Sequence, residues 1–592
     1  MSAFADSVAP RTPSQWLDAV RDAERRGELL TAFDLAERGL AEHPGDVSLE
    51  HRAVLALARA GSTEEAARRF ADYRLQLVDD EDVAALGARL EKDVALATGG
   101  DGRAEHAARA AALYDSIFAR TGGYYPAINA ATLSLIAGRR DDARRLAGRV
   151  LEAIGGERSY YAAATEAEAQ LLLGRVDFAR AALERAAALH DGDHAAVATT
   201  RRQLRLVCGA LGVDDDVLAA LPPPLVVHFC GHRISADGRF TAAVEDRAEA
   251  EIADVVDGHP PAYAYGSLAS GGDIMWAEAL LGRGAELHAV LPCARDEFVA
   301  HSVATAGPSW SARFDRCLRA AAAVSYATDD AFLGDDVLYR YAAELAMGLA
   351  LLRAGYLEAE VRQLALWDGG PALGAAGTAI DIAAWQRRGG ATTVVWPGEP
   401  APGGAPASAP PAGSGREVRA LLFADVKGFS RLTDEQVPVF VERALGPLGA
   451  VLDRYGDHVC HRNSWGDGIY VVLRDAALAA ACALDLQAAM AGVDLEAAGL
   501  PGDLALRLGA HVGPVFELHD PVTHGPSFHG THVSRTARIE PVTPPGVVYV
   551  TEAFAAALVL QGSDELACDY VGHMPAAKDF GRLRMYRLRR RR

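Results

Sequence analysis

The sequence predicts three folded units of different class: an all-α helical repeat, then an α/β unit with a parallel sheet, then an α+β unit. Helical spacing with recurring glycines extends over residues 1–220, and short apolar strands alternate with helices over 221–397. A linker at 398–415 precedes a last block, 416–592, in which an apolar strand, a helix and a glycine hairpin follow one another. At 592 residues the chain is too long for a single core.

The charge balance opposes some classes of partner. Lys and Arg total 59 against 79 Asp and Glu, a formal charge of −20, which disfavours general binding to nucleic acid or to anionic membranes. The terminal RLRRRR is a local exception that we interpret as a solvated tail.

The cysteines and the N-terminus predict a cytoplasmic protein. Seven scattered cysteines with no CxxC pair indicate reduced thiols rather than a disulfide framework or a zinc site. The N-terminus lacks a signal-peptide pattern, and no apolar run approaches the roughly 18 residues that would span a bilayer.

In the first block, similar helices follow glycines at regular intervals. Gly27 and Gly61 are 34 residues apart, and Gly138 and Gly174 are 36 apart. The block resembles a degenerate tetratricopeptide (TPR) array, and YYPAINAATLSLIAGRRDDA is similar to helical repeats of the TRAFs-binding type. Such arrays offer a concave surface, so we expect a protein partner there; a purely structural helical spacer is the alternative.

The middle block contains a glycine-rich turn in YGSLASGGDIMW. Gly266, Gly271 and Gly272 follow a strand and open a helix, so with Asp273 they form a candidate second ligand site where backbone N–H groups could receive a phosphate. The block resembles the SLOG group of Rossmann-like domains, which implies a ligand of the nucleotide type. A scaffold without a ligand remains the alternative, and no nucleophile and base can be assembled there to support a hydrolase.

The linker is followed by two aspartates in strand and turn contexts. Asp425 ends the apolar run ALLFA before VKGFS, and Asp467 stands 42 residues later in WGDG. By itself Asp467 fits a hairpin turn in which the carboxylate caps its own backbone. Together the two carboxylates suit a pair of divalent ions, Mg²⁺ or Mn²⁺, that hold a triphosphate.

These motifs, FADVKGF and WGDG, with RLGAHVGPVFE, HGTHVSRTARIEP and MPAAKDFGRLRMYRL, resemble the catalytic domain of class III nucleotidyl (adenylyl and guanylyl) cyclases. The resemblance implies that Asp425 and Asp467 bind two metal ions. It further implies phosphate binding by the amides of Gly428 and Phe429, stabilisation of transition-state charge by Arg538, and binding of the terminal phosphates by Lys578.

The chain departs from the family pattern at three positions. Ser534 stands where the family has an asparagine that contacts the ribose, so serine, or a neighbour such as His532, would have to supply that contact. At the two base-selecting positions the chain has Asn463 and Ser527, which match neither the adenine nor the guanine pattern. Both side chains can donate and accept hydrogen bonds.

The resemblance implies a nucleotidyl cyclase that converts a nucleoside triphosphate into a 3′,5′-cyclic nucleotide and pyrophosphate at a homodimer interface, under control of the upstream domains. ATP is the first expectation, with GTP, UTP and CTP as alternatives, since some bacterial relatives make cyclic UMP or cyclic CMP in antiphage defence. A catalytically impaired scaffold that binds nucleotide or a protein partner is the rival interpretation, and Ser534 favours it.

Overall fold

The structure, a computed structural model, describes residues 11–235, 239–372, 374–399, 415–522, 524–578 and 580–591. It confirms the predicted fold class, because a helical region, a parallel-sheet region and a mixed α/β region follow one another along the chain. Most of the predicted linker at 398–415 lies outside the described residues.

The helical block is built from helix pairs joined by short turns. Gly27, Gly61, Gly138 and Gly174 have φ angles of 69°, 84°, 81° and 77°, and each lies in the turn between two helices. Because positive φ strains any residue with a side chain, glycine at these positions marks helix–turn–helix units, as its spacing predicted. The helices are α1 (Pro13–Arg25), α2 (Leu29–Glu42), α3 (Val47–Arg59), α4 (Thr63–Asp72), α5 (Glu81–Ala97), α6 (Gly100–Thr121), α7 (Tyr124–Ile136), α8 (Arg140–Ile154), α9 (Tyr160–Leu172), α10 (Val176–Leu189) and α11 (His194–Leu211).

The middle block is a doubly wound sheet in which the described strands are all parallel. Its order, β4-β3-β2-β1-β5-β6, reverses between β1 and β5, and ligand clefts form at the carboxyl ends of strands at such a point. The elements are β1 (Leu225–Gly231), α12 (Glu245–Gly258), β2 (Tyr263–Gly266), α13 (Gly272–Gly282), β3 (Glu286–Leu291), α14 (Arg295–Ser302), α15 (Pro308–Ala320), β4 (Ala323–Tyr326), α16 (Val337–Leu357), β5 (Glu360–Leu366), α17 (Thr378–Arg387) and β6 (Thr392–Val395).

The C-terminal block is a mixed sheet with the described strands in the order β13-β14-β12-β10-β7-β9-β8, and β11 pairs with the far end of β10. Most neighbours are antiparallel, and β10 pairs in parallel with β12. The elements are β7 (Arg416–Lys427), α18 (Gln436–Phe440), α19 (Gly446–Tyr455), β8 (Val459–Trp465), β9 (Gly468–Leu473), α20 (Ala476–Ala491), β10 (Ala505–Asp520), β11 (Gly525–His529), α21 (Thr531–Thr536), β12 (Val548–Thr551), α22 (Glu552–Leu560), β13 (Leu566–Pro575) and β14 (Arg582–Arg590).

The terminal arginines are part of this sheet. β14 continues to Arg590, Leu588 is buried, and Arg587 lies 2.7 Å from Glu64 of the helical block. The prediction of a solvated tail was therefore wrong, because Leu588 is buried in the sheet while Arg587, Arg589 and Arg590 form ion pairs with Glu64, Asp569 and Asp485.

Helix α16 contacts both other blocks. Near its C-terminus the buried Arg353 contacts Glu28 and donates a hydrogen bond of 3.2 Å to the Tyr265 hydroxyl, and Arg202 of α11 donates one of 3.1 Å to Glu358, the residue after the helix. On another part of α16, Gly348 packs directly against Ala556 of α22. Among the described residues, no helix is both long and apolar enough to cross a bilayer.

The Gly348 contact can be tested by adding one methyl group. A Cβ at Gly348 would lie 2.3 Å from the Ala556 carbonyl oxygen, so Gly348→Ala should separate α16 from α22 and cost about 1–3 kcal/mol. Gly355 on the same helix has open space around its Cα, and Gly355→Ala should be neutral or stabilise the helix by up to about 1 kcal/mol. Thermal melts of both variants measure the difference, and equal melting temperatures would contradict the close packing.

Candidate active site

Two aspartates meet at one end of the C-terminal sheet. Asp425 lies near the end of β7, and Asp467 lies in the two-residue turn that joins β8 to β9, after Gly466 with φ 64°. Since β9 pairs with β7 up to Ala424, the turn lies beside Asp425, close enough for a hydrogen bond between the two carboxyl groups. Burial, reinforced by Asp425, raises the pKa of Asp467 to about 6.

Two further charged residues, which the sequence analysis missed, complete this cluster. Arg507 stands opposite Asp425 on β10 and forms an ion pair with it, and its Nε lies 3.0 Å from Oε1 of Glu540. Burial raises the pKa of Glu540 to about 7. The Arg507 guanidinium acts to lower this pKa, and the Asp425 and Asp467 carboxylates act to raise it. Arg507 thus pairs with two carboxylates, and Asp467 adds a third beside Asp425, so hard oxygen ligands are in excess and fit a divalent cation.

A glycine turn after β7 lies against the same hairpin. Gly428 has φ 94°, a backbone conformation that residues with a side chain rarely adopt, so glycine suits this turn. The Phe429 ring packs against Phe440, with 5.0 Å between centroids, and against Gly466. In the described part of the chain the amides of Gly428 and Phe429 donate no hydrogen bond, which leaves them available to an anion.

The segment resembling the transition-state region begins with α21. Ser534 is exposed on this helix, and the half-buried Arg538 follows it. The backbone N–H of Ala577 donates a 3.0 Å hydrogen bond to the Arg538 carbonyl, and the exposed Lys578 follows in a turn with φ 58°. The structure therefore places the backbone segments that carry Arg538 and Lys578 side by side.

His532 is buried, and both of its ring nitrogens have partners inside the fold. Its Nδ1 lies 2.7 Å from Nε2 of His511, and its Nε2 lies 3.0 Å from the hydroxyl of Thr328 in the middle block. Burial lowers the pKa of His532 to about 3, so the imidazole is neutral at physiological pH. His532 thus has a structural role, and it does not compensate for the asparagine that Ser534 replaces.

The two positions that the resemblance assigns to base selection lie on β8 and β11, two strands that approach each other in space although β11 pairs with β10. Asn463 is on β8 and accepts a 2.8 Å hydrogen bond from the Ser464 amide, while Ser527 is on β11. The strands meet where the ring of His461 lies 6.2 Å from that of Phe528 and where the Tyr470 hydroxyl contacts the Phe528 carbonyl oxygen at 3.4 Å. Both side chains are half-buried.

The glycines of the middle block serve backbone packing. A Cβ at Gly272 would lie 2.7 Å from Cα of Gly231, and one at Gly271, where φ is 104°, would lie 2.5 Å from the His232 carbonyl oxygen. The Gly272 amide already donates to that carbonyl. At Gly266 a Cβ would lie 2.7 Å from Phe229.

Asp273 does face a cavity. The cavity has a volume of about 330 Å³ and lies beyond β1 and β2, and its lining includes His228, Arg233 and Asp381. Burial raises the pKa of Asp273 to about 7. The ligand site predicted here stays a prediction: Asp273 lines the cavity, and the Gly272 amide is already bonded within the fold.

A second group with metal-ligand chemistry lies between the blocks. Glu28, Glu286 and His288 have potential ligand atoms within 4.8 Å of one another. The Arg353 guanidinium contacts Glu28 and lies 3.2 Å from Nε2 of His288, so a cation already neutralises this group. We assign no metal to it.

Comparison with known proteins identifies two of the blocks. Residues 415–589 match the family model of the adenylate and guanylate cyclase catalytic domain, and residues 28–134 match that of Tetratricopeptide Repeats-Sensor. The C-terminal block is therefore a class III cyclase catalytic domain, and the helical block contains a TPR-type domain, as the motifs predicted. The resemblance of the middle block to SLOG domains stays a prediction.

Similar solved structures are catalytic domains of cyclases. The adenylyl cyclase CyaB from P. aeruginosa is 17% identical over 29% of this chain and 94% of its own, with a TM-score of 0.27. The guanylate cyclase domain of RhGC from Catenaria anguillulae with GTP is 20% identical over 30% and 98%, with a TM-score of 0.25. An adenylate cyclase from Trypanosoma brucei is 22% identical over 31% and 92%, with a TM-score of 0.26. No curated protein matches the chain.

The raised pKa of Asp467 predicts pH-dependent metal binding. Below pH 6 a proton competes with the cation for Asp467, so the Mn²⁺ affinity of the full chain should fall up to about tenfold per pH unit. Asp467→Asn should weaken Mn²⁺ binding at pH 7.5 and flatten this pH dependence. Titration of Mn²⁺ followed by electron paramagnetic resonance provides the measurement.

The matched control is Asp457→Asn, which changes an exposed carboxylate in the same domain. It should keep the parent affinity and pH profile. Equal affinities for the Asp467→Asn variant and the parent would exclude Asp467 as a metal ligand.

Proposed function

We propose that the C-terminal domain converts a nucleoside triphosphate into a 3′,5′-cyclic nucleotide and pyrophosphate, with two divalent ions (Mg²⁺ or Mn²⁺) held by Asp425 and Asp467. The observation that carries this proposal is the adjacency of these two carboxylates, beside the unbonded amides of Gly428 and Phe429. Bound divalent ions would lower the pKa of the ribose 3′-hydroxyl and neutralise phosphate charge.

The chain's own residues account for the rest of the chemistry. The bond from the 3′-oxygen to the α-phosphorus forms, the bond from the α-phosphorus to the bridging oxygen breaks with its electron pair departing on pyrophosphate, and the hydroxyl proton passes to water. Gly428 and Phe429 bind phosphate oxygens through their amides, Arg538 stabilises charge on the transferring phosphoryl group, and Lys578 binds the departing pyrophosphate. Ser534 donates the ribose hydrogen bond in place of asparagine.

The base is read by Asn463 and Ser527. An amide and a hydroxyl can present a donor and an acceptor to adenine, guanine or a pyrimidine. We take ATP as the first candidate substrate and keep GTP, UTP and CTP as alternatives.

The active site forms across a homodimer of the cyclase domain, with Asp425 and Asp467 from one chain and Arg538 from the other. Exposed apolar side chains flank both halves of this site: Trp465, 59% exposed, precedes the Asp467 turn, and Phe580, 38% exposed, follows Lys578. Leu518 and Val522 are exposed at the β10–β11 hairpin. Apolar side chains in such positions suit a protein interface.

A scaffold without catalysis is the second candidate. Ser534 in place of asparagine supports it, and the burial of His532 removes one neighbour that could have compensated. The retained Asp425, Asp467, Arg538 and Lys578 weigh against it.

A product assay separates the two candidates. The full chain is incubated with ATP, GTP, CTP and UTP, with Mn²⁺ or Mg²⁺, and cyclic products are identified by mass. We expect one preferred product, a rate at least about 10²-fold lower in Asp467→Ala, and the parent rate in Asp457→Asn. No product from any of the four nucleotides, with Asp467→Ala indistinguishable from the parent, would favour the scaffold.

The upstream domains regulate catalysis through the anchoring of α21. The Thr531 hydroxyl donates a 2.5 Å hydrogen bond to Asp330 of the middle block, and Arg535 donates one of 3.2 Å to Asp329. In the same segment of the middle block, Phe332 lines the 330 Å³ cavity. A ligand in that cavity can therefore shift the segment that positions Ser534 and Arg538.

Asp330→Asn tests this coupling without altering a catalytic side chain. Weakening a hydrogen bond worth about 1 kcal/mol should lower kcat roughly fivefold while the identity of the product stays the same. The exposed Asp254, also in the middle block, provides the control variant Asp254→Asn, which should keep the parent kcat. Equal kcat values for Asp330→Asn and the parent would argue against control through α21.

A further inference from the structure

The inner face of the helical block is covered by the chain's own helix. Helix α11 packs against α1, α7 and α9, and its Val197, Leu204 and Val207 are buried in the core of the block. TPR arrays use this concave face to bind peptides. Because α11 lies there, the remaining space consists of two cavities, of about 270 and 940 Å³, that share Arg89, Lys92, Thr199 and Gln203 in their walls. Cavities of this size suit a small molecule rather than an extended peptide.

These two cavities are positively charged inside an acidic protein. The whole chain carries a formal charge of −20. Seven basic side chains line the cavities against four carboxylates; the basic ones are Arg52, Arg59, Arg89, Lys92, Arg103, Arg202 and Arg205, and the carboxylates are Asp82, Asp93, Glu168 and Glu358. Several of these cations are already paired, Arg52 and Arg59 with Glu24, Arg89 with Asp93, and Arg202 and Arg205 with Glu358, so Lys92 is the lining cation that an anion would join most readily.

Lys92 lies in the wall of both cavities. Its ammonium group donates hydrogen bonds of 3.1 Å to Asn129 and 2.6 Å to Gln203, and among the described residues no carboxylate lies within 4 Å of it. The nearby Glu168 is engaged by Thr132 and by Gln203, which donates to it at 2.7 Å. Lys92 is half-buried, and an ammonium group with only amide partners there is stabilised when an anion joins it.

The identity of this residue is also unusual within the chain. Lysine occurs only three times in 592 residues, at Lys92, Lys427 and Lys578, and arginine supplies the other basic side chains. An ammonium group is a compact point charge with three donors, and a phosphate oxygen is a common partner for it.

The wall of the smaller cavity also contains aromatic side chains. Tyr114, Tyr125 and Tyr161 line it together with Ile128, and the rings of Tyr114 and Tyr125 pack edge to face with 6.3 Å between centroids. Tyrosine rings beside arginine and lysine provide a flat apolar surface for a base and cations for phosphate.

We propose that the helical block holds a second nucleotide-binding site, in which Lys92 and Arg89 bind the phosphate of a small nucleotide and the tyrosines of the smaller cavity contact its base. The site is separate from the cyclase active site and does not depend on the reaction proposed for it. It makes the helical block a receptor for a small molecule.

The experiment measures nucleotide binding to the full chain carrying Asp467→Ala, in EDTA, so that metal-dependent binding at the cyclase site is removed. The ligands are AMP, GMP, ATP, 3′,5′-cyclic AMP and 3′,5′-cyclic UMP, with inorganic phosphate for comparison, titrated by calorimetry. We expect at least one nucleotide to bind once per chain and more tightly than phosphate. Adding Lys92→Met should weaken it about tenfold or more, because a charge-assisted hydrogen bond is lost.

Two comparisons keep the result specific. Arg144→Met removes an exposed cation from α8 of the same block and should leave binding unchanged, and Lys92→Arg should restore part of the affinity if charge at this position is what matters.

With only three lysines in the chain, acetylation mapped by mass spectrometry adds a direct readout: a bound nucleotide should protect Lys92 and leave Lys427 reactive.

Three results would overturn the proposal: no nucleotide binds, phosphate binds as tightly as every nucleotide, or Lys92→Met binds as the parent does. If Lys92→Met fails to fold, as judged by its melting temperature, the acetylation pattern of the parent decides, and an unprotected Lys92 at saturating nucleotide refutes the site.

Discussion

The cyclase domain depends on the close approach of like charges at the end of one sheet. Asp425 and Asp467 are brought together because β9 pairs with β7, and Glu540 adds a third carboxylate. Arg507, fixed opposite Asp425 by the register of β10, offsets part of that repulsion. A carboxylate cluster of this kind is unfavourable by itself, and a divalent cation would turn the same repulsion into affinity.

The arrangement of the blocks places one helix at the centre of the molecule. α16 meets α22 through Gly348 and meets the helical block through Arg353, while the segment just before α16 holds α21. The middle block thus directly contacts α21, the helix that carries Ser534 and precedes Arg538. The buried pair His511 and His532 extends this contact into the sheet, since His532 contacts Thr328 and His511 contacts Thr551.

Local signals in the sequence predicted much of this structure. Glycines 34 or 36 residues apart marked the helix turns because each requires positive φ, and the two aspartate motifs located the cluster because a strand end and a tight turn are local features. The sequence alone did not reveal Arg507 and Glu540, since their relation to Asp425 depends on strand register and on a residue 115 positions away.

Other misinterpretations also arise from tertiary context. The arginines of RLRRRR look like a tail, but they alternate with residues that the sheet buries, Tyr586 and Leu588. Gly271 and Gly272 look like a phosphate loop, but they allow two backbones to touch. His532 looked available beside Ser534, and only the fold shows that it is enclosed against Gly513. In each case a non-local contact decides the role of a residue whose local pattern is ambiguous.

The proposed active site takes Asp425 from one chain and Arg538 from the other. Mixing full-length Asp425→Ala and Arg538→Ala chains, each inactive alone, tests this arrangement. Random pairing gives half heterodimers with one intact site each, so we expect the mixture to recover about a quarter of the parent activity. If both variants dimerise and exchange subunits but the mixture stays inactive, the shared site is contradicted.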